Sequence, residues 1–206
     1  KFEFDSQPGY QKMNKENKLV PGLPSGFEDR WNNKLLLKKK LLKAIENNFI
    51  KFGAEALETP SFEISENIGS FLAEDEANPM SDVFSFQDGE KSITLRYDLS
   101  SPLARFVAQN NQELPSIFKR YQIQNVFRNE KAGNGRYREF MQADFDIVGN
   151  VDPAQANAEL CNLISSTLLD CGLNRDQFII NVSNRKIVQG LINELKISDE
   201  KQVKVI

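Results

Sequence analysis

The sequence predicts an α+β fold, an antiparallel sheet flanked by helices. Two observations point to strands. Tyr121 to Gly149 (YQIQNVFRNEKAGNGRYREFMQADFDIVG) reads as two strands joined by a short glycine-containing loop. Val83 to Phe86 and Ser92 to Tyr97 flank Asp88-Gly89, a dipeptide that closes hairpins. A third observation points to helices: the segments outside these strands repeat apolar residues at helical spacing. A length of 206 residues suits one domain, or one domain with a small appendage.

Residues 1–18 read as a flexible leader, and 19–206 as the folded domain. Val20 to Trp31 (VPGLPSGFEDRW) is an extended lead-in punctuated by proline and glycine. A helix follows, with Leu35, Leu36, Leu41, Leu42, Ile45, Phe49 and Phe52 on its apolar face and Gly53 as its stop. Lys38 to Lys40 form its solvated side. Ala56 to Ile64 (ALETPSFEI) is a strand interrupted by Pro60, which removes a ladder donor and so belongs at an edge, a bend or a subunit boundary. Phe71 to Asp82 is an acidic, irregular loop. After the Asp88-Gly89 hairpin, Leu99 to Gln109 is helical, with Pro102 in its first turn. Further on, Asp152 caps a helix that begins at Pro153 and runs to about Cys171, with Gly172 beyond it. Phe178 to Val182 is a short apolar strand. Ser183 caps a last helix that buries Ile187, Leu191, Ile192 and Leu195.

Composition narrows the chemistry. The chain has no histidine, which excludes histidine acid–base catalysis, a Ser-His-Asp triad and His-ligated metal within it. Its two cysteines, Cys161 and Cys171, make no disulfide framework and suit a reducing, cytoplasmic setting. No apolar run approaches the ~18 residues of a membrane span. Net charge is -3, yet Lys119 to Phe140 holds six basic residues (Lys119, Arg120, Arg128, Lys131, Arg136, Arg138) against Glu130 and Glu139. That local excess suggests a fixed site for a small polyanion such as a nucleotide triphosphate.

Strand alternation sharpens this. Successive side chains point to opposite faces, so Arg138, Gln142, Asp144 and Asp146 share one face with Phe140, while Tyr137, Met141, Ala143, Phe145 and Ile147 share the other. A half-exposed sheet with a solvated outer face has the same pattern. Three features argue for a site instead: the polar face mixes Arg with Gln and Asp, Gly133 and Gly135 allow close backbone approach, and arginines bracket the loop. Guanidinium groups bind phosphate oxygens in pairs. A second constellation, LRYDLSSPLAR (Leu95 to Arg105), puts Asp98 and Ser100 where a strand meets a helix. They serve there as a helix cap, as ligands of a substrate ammonium group, or as both.

Together these segments resemble histidyl-tRNA synthetase, a class II aminoacyl-tRNA synthetase, in the variant with LRYDL before the helix. The likeness runs from PSGFEDRW near Pro24 to SNRKIVQGL at Leu191. It implies a class II synthetase-like antiparallel sheet flanked by helices, truncated to the N-terminal part of the catalytic domain. ETPSFE around Pro60 looks like motif 1, which in this class builds a homodimer interface. VFRNE with GRYREF looks like motif 2. By that resemblance Arg128 holds the α-phosphate of ATP, Glu130 approaches the adenine side and Arg136 meets the terminal phosphates. Gln142, Asp98 and Ser100 surround the histidine amino group, and Asp146 recognises its imidazole. Arg128 and Gln142 are then the catalytic pair, Mg²⁺ arrives with the nucleotide, and tRNA(His) receives the histidyl group.

The chain departs from the family in three places. Ser100 stands where threonine is usual, and Asn129 where histidine is common. The sequence also ends at Ile206, before the histidine-specific segment, the motif 3 arginine and the anticodon-binding domain. On that ground weak or no adenylation is expected of this chain alone. Two other readings share some of these features. One is the synthetase-like regulatory subunit of ATP phosphoribosyltransferase, a non-catalytic histidine sensor, against which SNRKIVQGL argues. The other is an interaction fragment that only dimerises.

Overall fold

The computed structural model describes residues 20–68 and 82–195. The leader at 1–18 and the acidic loop up to residue 81 lie outside them. The elements run in the order α1 (Asn32–Lys51), β1 (Glu55–Ala56), β2 (Phe62–Ile64), α2 (Ser65–Ile68), β3 (Ser85–Asp88), β4 (Lys91–Leu95), α3 (Ser100–Asn110), β5 (Ile117–Phe127), β6 (Glu139–Gly149), α4 (Pro153–Asp170) and α5 (Arg185–Glu194). They make an α+β fold with two three-stranded sheets, ordered β1-β5-β6 and β2-β4-β3. β1 lies parallel to β5, with Glu55 opposite Arg120, so the first sheet is mixed.

The chain divides into two compact units. One takes in the lead-in up to Trp31, Pro60–Arg105 and Asn125–Gln142. In it β4 pairs antiparallel with β2 and β3. Gly89 and Glu90 form the turn, one residue later than Asp88-Gly89, because Asp88 still pairs with Lys91. Gly89 takes φ +60, the conformation a two-residue hairpin turn asks for. The polar face of this sheet is the buried one. Glu63 and Thr94 are buried, and Ser65 Oγ meets Thr94 Oγ1 at 2.5 Å and Ser92 Oγ at 2.8 Å. Arg105 reaches down from α3 and grips Glu63 with two bonds, Nε to Oε2 and Nη2 to Oε1, each 2.7 Å. The buried Arg96 donates to the carbonyls of Asn125 (2.7 Å) and Pro60 (3.3 Å). Phe62, Ile64 and Phe86 lie exposed on the opposite face.

The second unit takes in Asn32–Thr59, Phe106–Gln124 and the chain from Ala143 onward. Its core joins Phe49, Ala54, Tyr121 and Leu163, with Ile45, Phe52, Ile123, Phe145 and Leu160 packed against them. Phe49 meets the rings of Tyr121 and Phe145 at 5.7 and 5.6 Å, in the tilted geometry that aromatic pairs favour. Asn48 Nδ2 of α1 donates to Asp170 Oδ2 of α4 at 2.8 Å. The C-terminal half of α1 supplies this packing. Leu36 and Leu41, expected on its buried face, are exposed. Gly53 stops α1 with φ +79, as the sequence indicates.

Helix α4 follows its local signals closely. Asp152 accepts from the backbone N–H groups of Ala154 and Gln155, and Pro153 opens the helix. Two later expectations do not hold. Phe178 to Val182 is extended but pairs with no strand among the described residues, and Ile179 and Val182 are exposed. Alternating apolar residues make a strand only where a neighbour supplies the ladder. The cap of α5 is Asn184, whose side chain accepts from the Lys186 N–H, not Ser183. Of the expected buried face of α5, Ile192 is buried while Ile187, Leu191 and Leu195 are exposed.

Candidate functional site

The loop between β5 and β6 is built to hold Arg128 in place. The Arg128 N–H donates to the Arg138 carbonyl at 2.8 Å, extending the pairing one step past β5. Gly133 and Arg136 exchange two backbone bonds of 3.1 Å, pinching Asn134-Gly135 into a tight turn with Gly135 at φ +74. Arg138 is spent on structure. Its guanidinium stacks 4.6 Å from the Phe84 ring centroid and hydrogen-bonds Asn129 Oδ1, while its backbone N–H donates to the Gly26 carbonyl. Gly26 has to be a glycine, because a Cβ there falls 2.5 Å from Arg138 Cγ.

Arg128 lies between two aromatic rings. Its guanidinium carbon is 4.4 Å from the Tyr97 ring centroid and 5.0 Å from that of Phe140. Such stacking fixes the plane of the guanidinium while leaving its N–H edge available. It fronts a cavity of about 260 Å³, also lined by Glu130, Gly135, Arg136, Tyr137 and Phe140. Arg136 pairs with Glu130 across this cavity, Nε to Oε2 at 2.7 Å. The Tyr97 hydroxyl donates to the other Glu130 oxygen at 3.0 Å. Burial pushes Glu130 up, but the bonds from Arg136 and Tyr97, with the charges of Arg136 and Arg128, outweigh it and hold the carboxyl below its ordinary value. Burial and the bond to Glu130 raise the Tyr97 phenol.

The six basic residues therefore do not form one cluster. Arg128 and Arg136 line the cavity, whereas Lys119 pairs with Glu159, Arg120 with Asp146 and Arg138 with Asn129. Lys131 is exposed. Neither is the polar face of β5 solvated, since Arg120 and Gln122 are both fully buried.

Asp98 takes the capping role. Its Oδ1 accepts from the Ser101 N–H at 3.0 Å, at the start of α3, and Ser100 is exposed beside it. Gln142 keeps its Oε1 buried with no hydrogen-bond donor among the described residues. β6 is unbroken from Glu139 to Gly149, so Gln142 and Asp146 lie on the same side of that strand, as alternation requires. Gln142 belongs with Asp98 and Arg128 to the first unit, Asp146 with Arg120 to the second. Pro60 is exposed in the stretch between β1 and β2. Nothing in the sequence marks Tyr97 and Phe140 as the walls around Arg128, or Arg120 as a buried partner. Alternation assigns a face but not a neighbour on another strand. Among the described residues, no three His, Cys, Asp or Glu side chains cluster as a metal site, and no helix is long and apolar enough to cross a membrane.

Comparison with known proteins identifies relatives of this chain. The profile of the family described as histidyl-tRNA synthetase matches residues 26–206. A histidine–tRNA ligase from Pelagibacter ubique is 78% identical over 194 residues, which is 94% of this chain and 42% of the relative. Ligases of the same name from Rhodopseudomonas palustris and Methylocella silvestris are 39% and 43% identical, over 94% and 86% of this chain and 38% and 35% of theirs. A histidyl-tRNA synthetase structure from a Nostoc species superposes with a TM-score of 0.73 at 27% identity, over 87% of this chain and 41% of that one. A Bacillus halodurans structure described as an ATP phosphoribosyltransferase regulatory subunit/histidyl-tRNA synthetase superposes at 0.65 with 24% identity, over 78% of this chain and 40% of that one, a likeness of fold alone. This chain thus spans about two-fifths of the length of the curated relatives it matches.

Proposed function

The chain belongs to the histidyl-tRNA synthetase family, and on that premise we propose that it forms the ATP- and histidine-binding part of a histidine–tRNA ligase. The observation that carries the proposal is Arg128, clamped between Tyr97 and Phe140 at the mouth of a cavity shared with Arg136 and Glu130. In the proposed reaction the histidine carboxylate attacks the α-phosphorus of ATP. The bond to pyrophosphate breaks, leaving histidyl-adenylate, and the histidyl group then passes to a hydroxyl of tRNA(His) with release of AMP. No protein nucleophile is needed, which suits a chain without histidine. Rate comes from positioning and from fixed positive charges that meet the negative charge on the phosphate oxygens.

Each residue then has a role. Arg128 holds the α-phosphate, its plane set in advance by the two rings. Arg136 exchanges Glu130 for the terminal phosphates, and the released Glu130 faces the adenine. Asp98, Ser100 and Gln142 receive the histidine ammonium group, for which the buried, unbonded Gln142 Oε1 is a ready acceptor. Asp146 accepts from the imidazole. Mg²⁺ would arrive with the nucleotide, held by its phosphate oxygens. When bound, it neutralises phosphate charge. The exposed Phe62, Ile64 and Phe86 beside Pro60 support a homodimer surface, and the ligase works in the cytoplasm.

Separate calorimetric titrations with ATP and L-histidine test this reading. Binding of both supports it. Histidine binding without ATP binding, with association to a phosphoribosyltransferase, supports the regulatory subunit instead. Failure to bind either at millimolar concentration leaves only an interaction module.

A further inference from the structure

Arg120 is the largest fully buried side chain among the described residues, with none of its surface exposed. Its Nη2 stands 2.8 Å from Oδ2 of Asp146, whose side chain is 34% exposed. Behind the pair, Nη1 donates to Gln122 Oε1 at 3.2 Å. Gln122 Nε2 in turn donates to Thr59 Oγ1 at 2.8 Å and to Gln124 Oε1 at 2.5 Å, and Gln124 Oε1 also accepts from the Thr59 N–H at 3.1 Å. The guanidinium is thus fixed at the head of a buried polar chain. Taking an arginine out of water is costly, and a buried ion pair is often replaceable by apolar side chains without loss of stability. A fold that needed only packing at this position would be served by leucine. The pair also has a direction: its cation is sealed in the interior, while its carboxylate reaches the surface.

We infer that Arg120 is a positioning and specificity-determining residue for histidine, acting through Asp146. The inference rests on the reading of Asp146 as the imidazole acceptor. A cation fixed behind Oδ2 stops the carboxylate turning, which leaves Oδ1 to accept a ring N–H. Arg120 and Asp146 together carry no net charge. The position therefore offers a strong acceptor without net negative charge, which suits neutral imidazole better than a cationic side chain. A ring with no N–H leaves the acceptor unbonded and is rejected.

Calorimetry on the full polypeptide tests the role with three ligands: L-histidine, β-(2-thienyl)alanine (whose ring has no N–H) and ATP. In Arg120→Met, histidine affinity should fall about tenfold or more, the preference over thienylalanine should shrink by a like factor, and ATP affinity should stay within about twofold. Arg120→Lys, which restores a shorter cation, should recover part of the preference. Equal losses for histidine and thienylalanine, or a parallel loss for ATP, would mean that Arg120 merely supports the fold and would overturn the inference. Asp146→Asn separates the two levels. If it leaves histidine binding intact, the reading of Asp146 is wrong; if it weakens histidine while Arg120→Met does not, only the role of Arg120 is wrong. Should Arg120→Met fail to fold, Arg120→Met/Asp146→Asn strands no charge and carries the test. It should bind histidine as Asp146→Asn does, and a further tenfold loss overturns the inference.

Discussion

Replacing Arg105 with alanine should expose how much of the first unit hangs on one ion pair. Arg105 meets Glu63 through two bonds of 2.7 Å, and the side chains are 21% and 5% exposed. Removing one partner of a buried pair costs about 3–5 kcal/mol, since the other charge stays buried and uncompensated. A fifth of the Arg105 side chain reaches water, which screens part of the interaction, so Arg105→Ala should cost about 3 kcal/mol. Arg105→Met with Glu63→Leu removes both charges and keeps most of the volume, and should cost about 1 kcal/mol or less. Urea unfolding of the wild type, Arg105→Ala and the double variant measures both costs directly. Because α3 carries Arg105 and begins at the Asp98 cap, histidine affinity should weaken in Arg105→Ala. A single-variant cost below about 1 kcal/mol would put the pair in the class of surface ion pairs and refute the reasoning.

Other predictions follow from single positions. Gly149 has φ +139, and a Cβ there falls 2.2 Å from the Ser116 carbonyl oxygen. Gly149→Ala should therefore lower stability by more than about 2 kcal/mol, read as a drop in urea midpoint, and a near-neutral change would argue against the close approach. Glu130 has a depressed pKa, so its charged form stabilises the folded state above the ordinary carboxyl value of 4.5, and that contribution fades as pH falls through the depressed value. The stability gap between wild type and Glu130→Gln should accordingly be constant near neutral pH and close as the pH falls below 4.5 and through the depressed value. A gap that widened in acid would reverse the sign of the argument.

The fold is legible in the sequence where its signals are local. Asp152, Pro153 and Gly172 mark the ends of α4 by backbone chemistry that needs no distant partner, and Gly53 does the same for α1. Legibility fails where structure depends on a neighbour. Phe178 to Val182 has strand composition, but composition supplies no ladder. Ser183 and Asn184 are both good caps, and their order in sequence does not say which one the helix takes. The candidate site shows the same division. Alternation correctly puts Gln142 and Asp146 on one side of β6, and the glycines of the loop mark its turn. It cannot tell that Arg138 is held by Phe84 and Asn129 while Arg136 reaches the cavity, since these are contacts across strands. Six basic residues that lie close in sequence are distributed by the fold among separate partners.

In the proposed reaction everything turns on Arg128 holding the phosphates of ATP. Calorimetric titration of wild type and Arg128→Ala with ATP tests it most directly. A charge-assisted hydrogen bond contributes about 1.5–3 kcal/mol, so the variant should bind ATP about 10- to 150-fold more weakly. Arg128→Ala also removes the stacking on Tyr97 and Phe140, which contributes about 0.5–2 kcal/mol, and a long 3.5 Å contact from Nε to the Tyr97 carbonyl, so the unfolding midpoint should fall modestly with the fold kept. Unchanged ATP affinity in a folded Arg128→Ala variant would contradict the account.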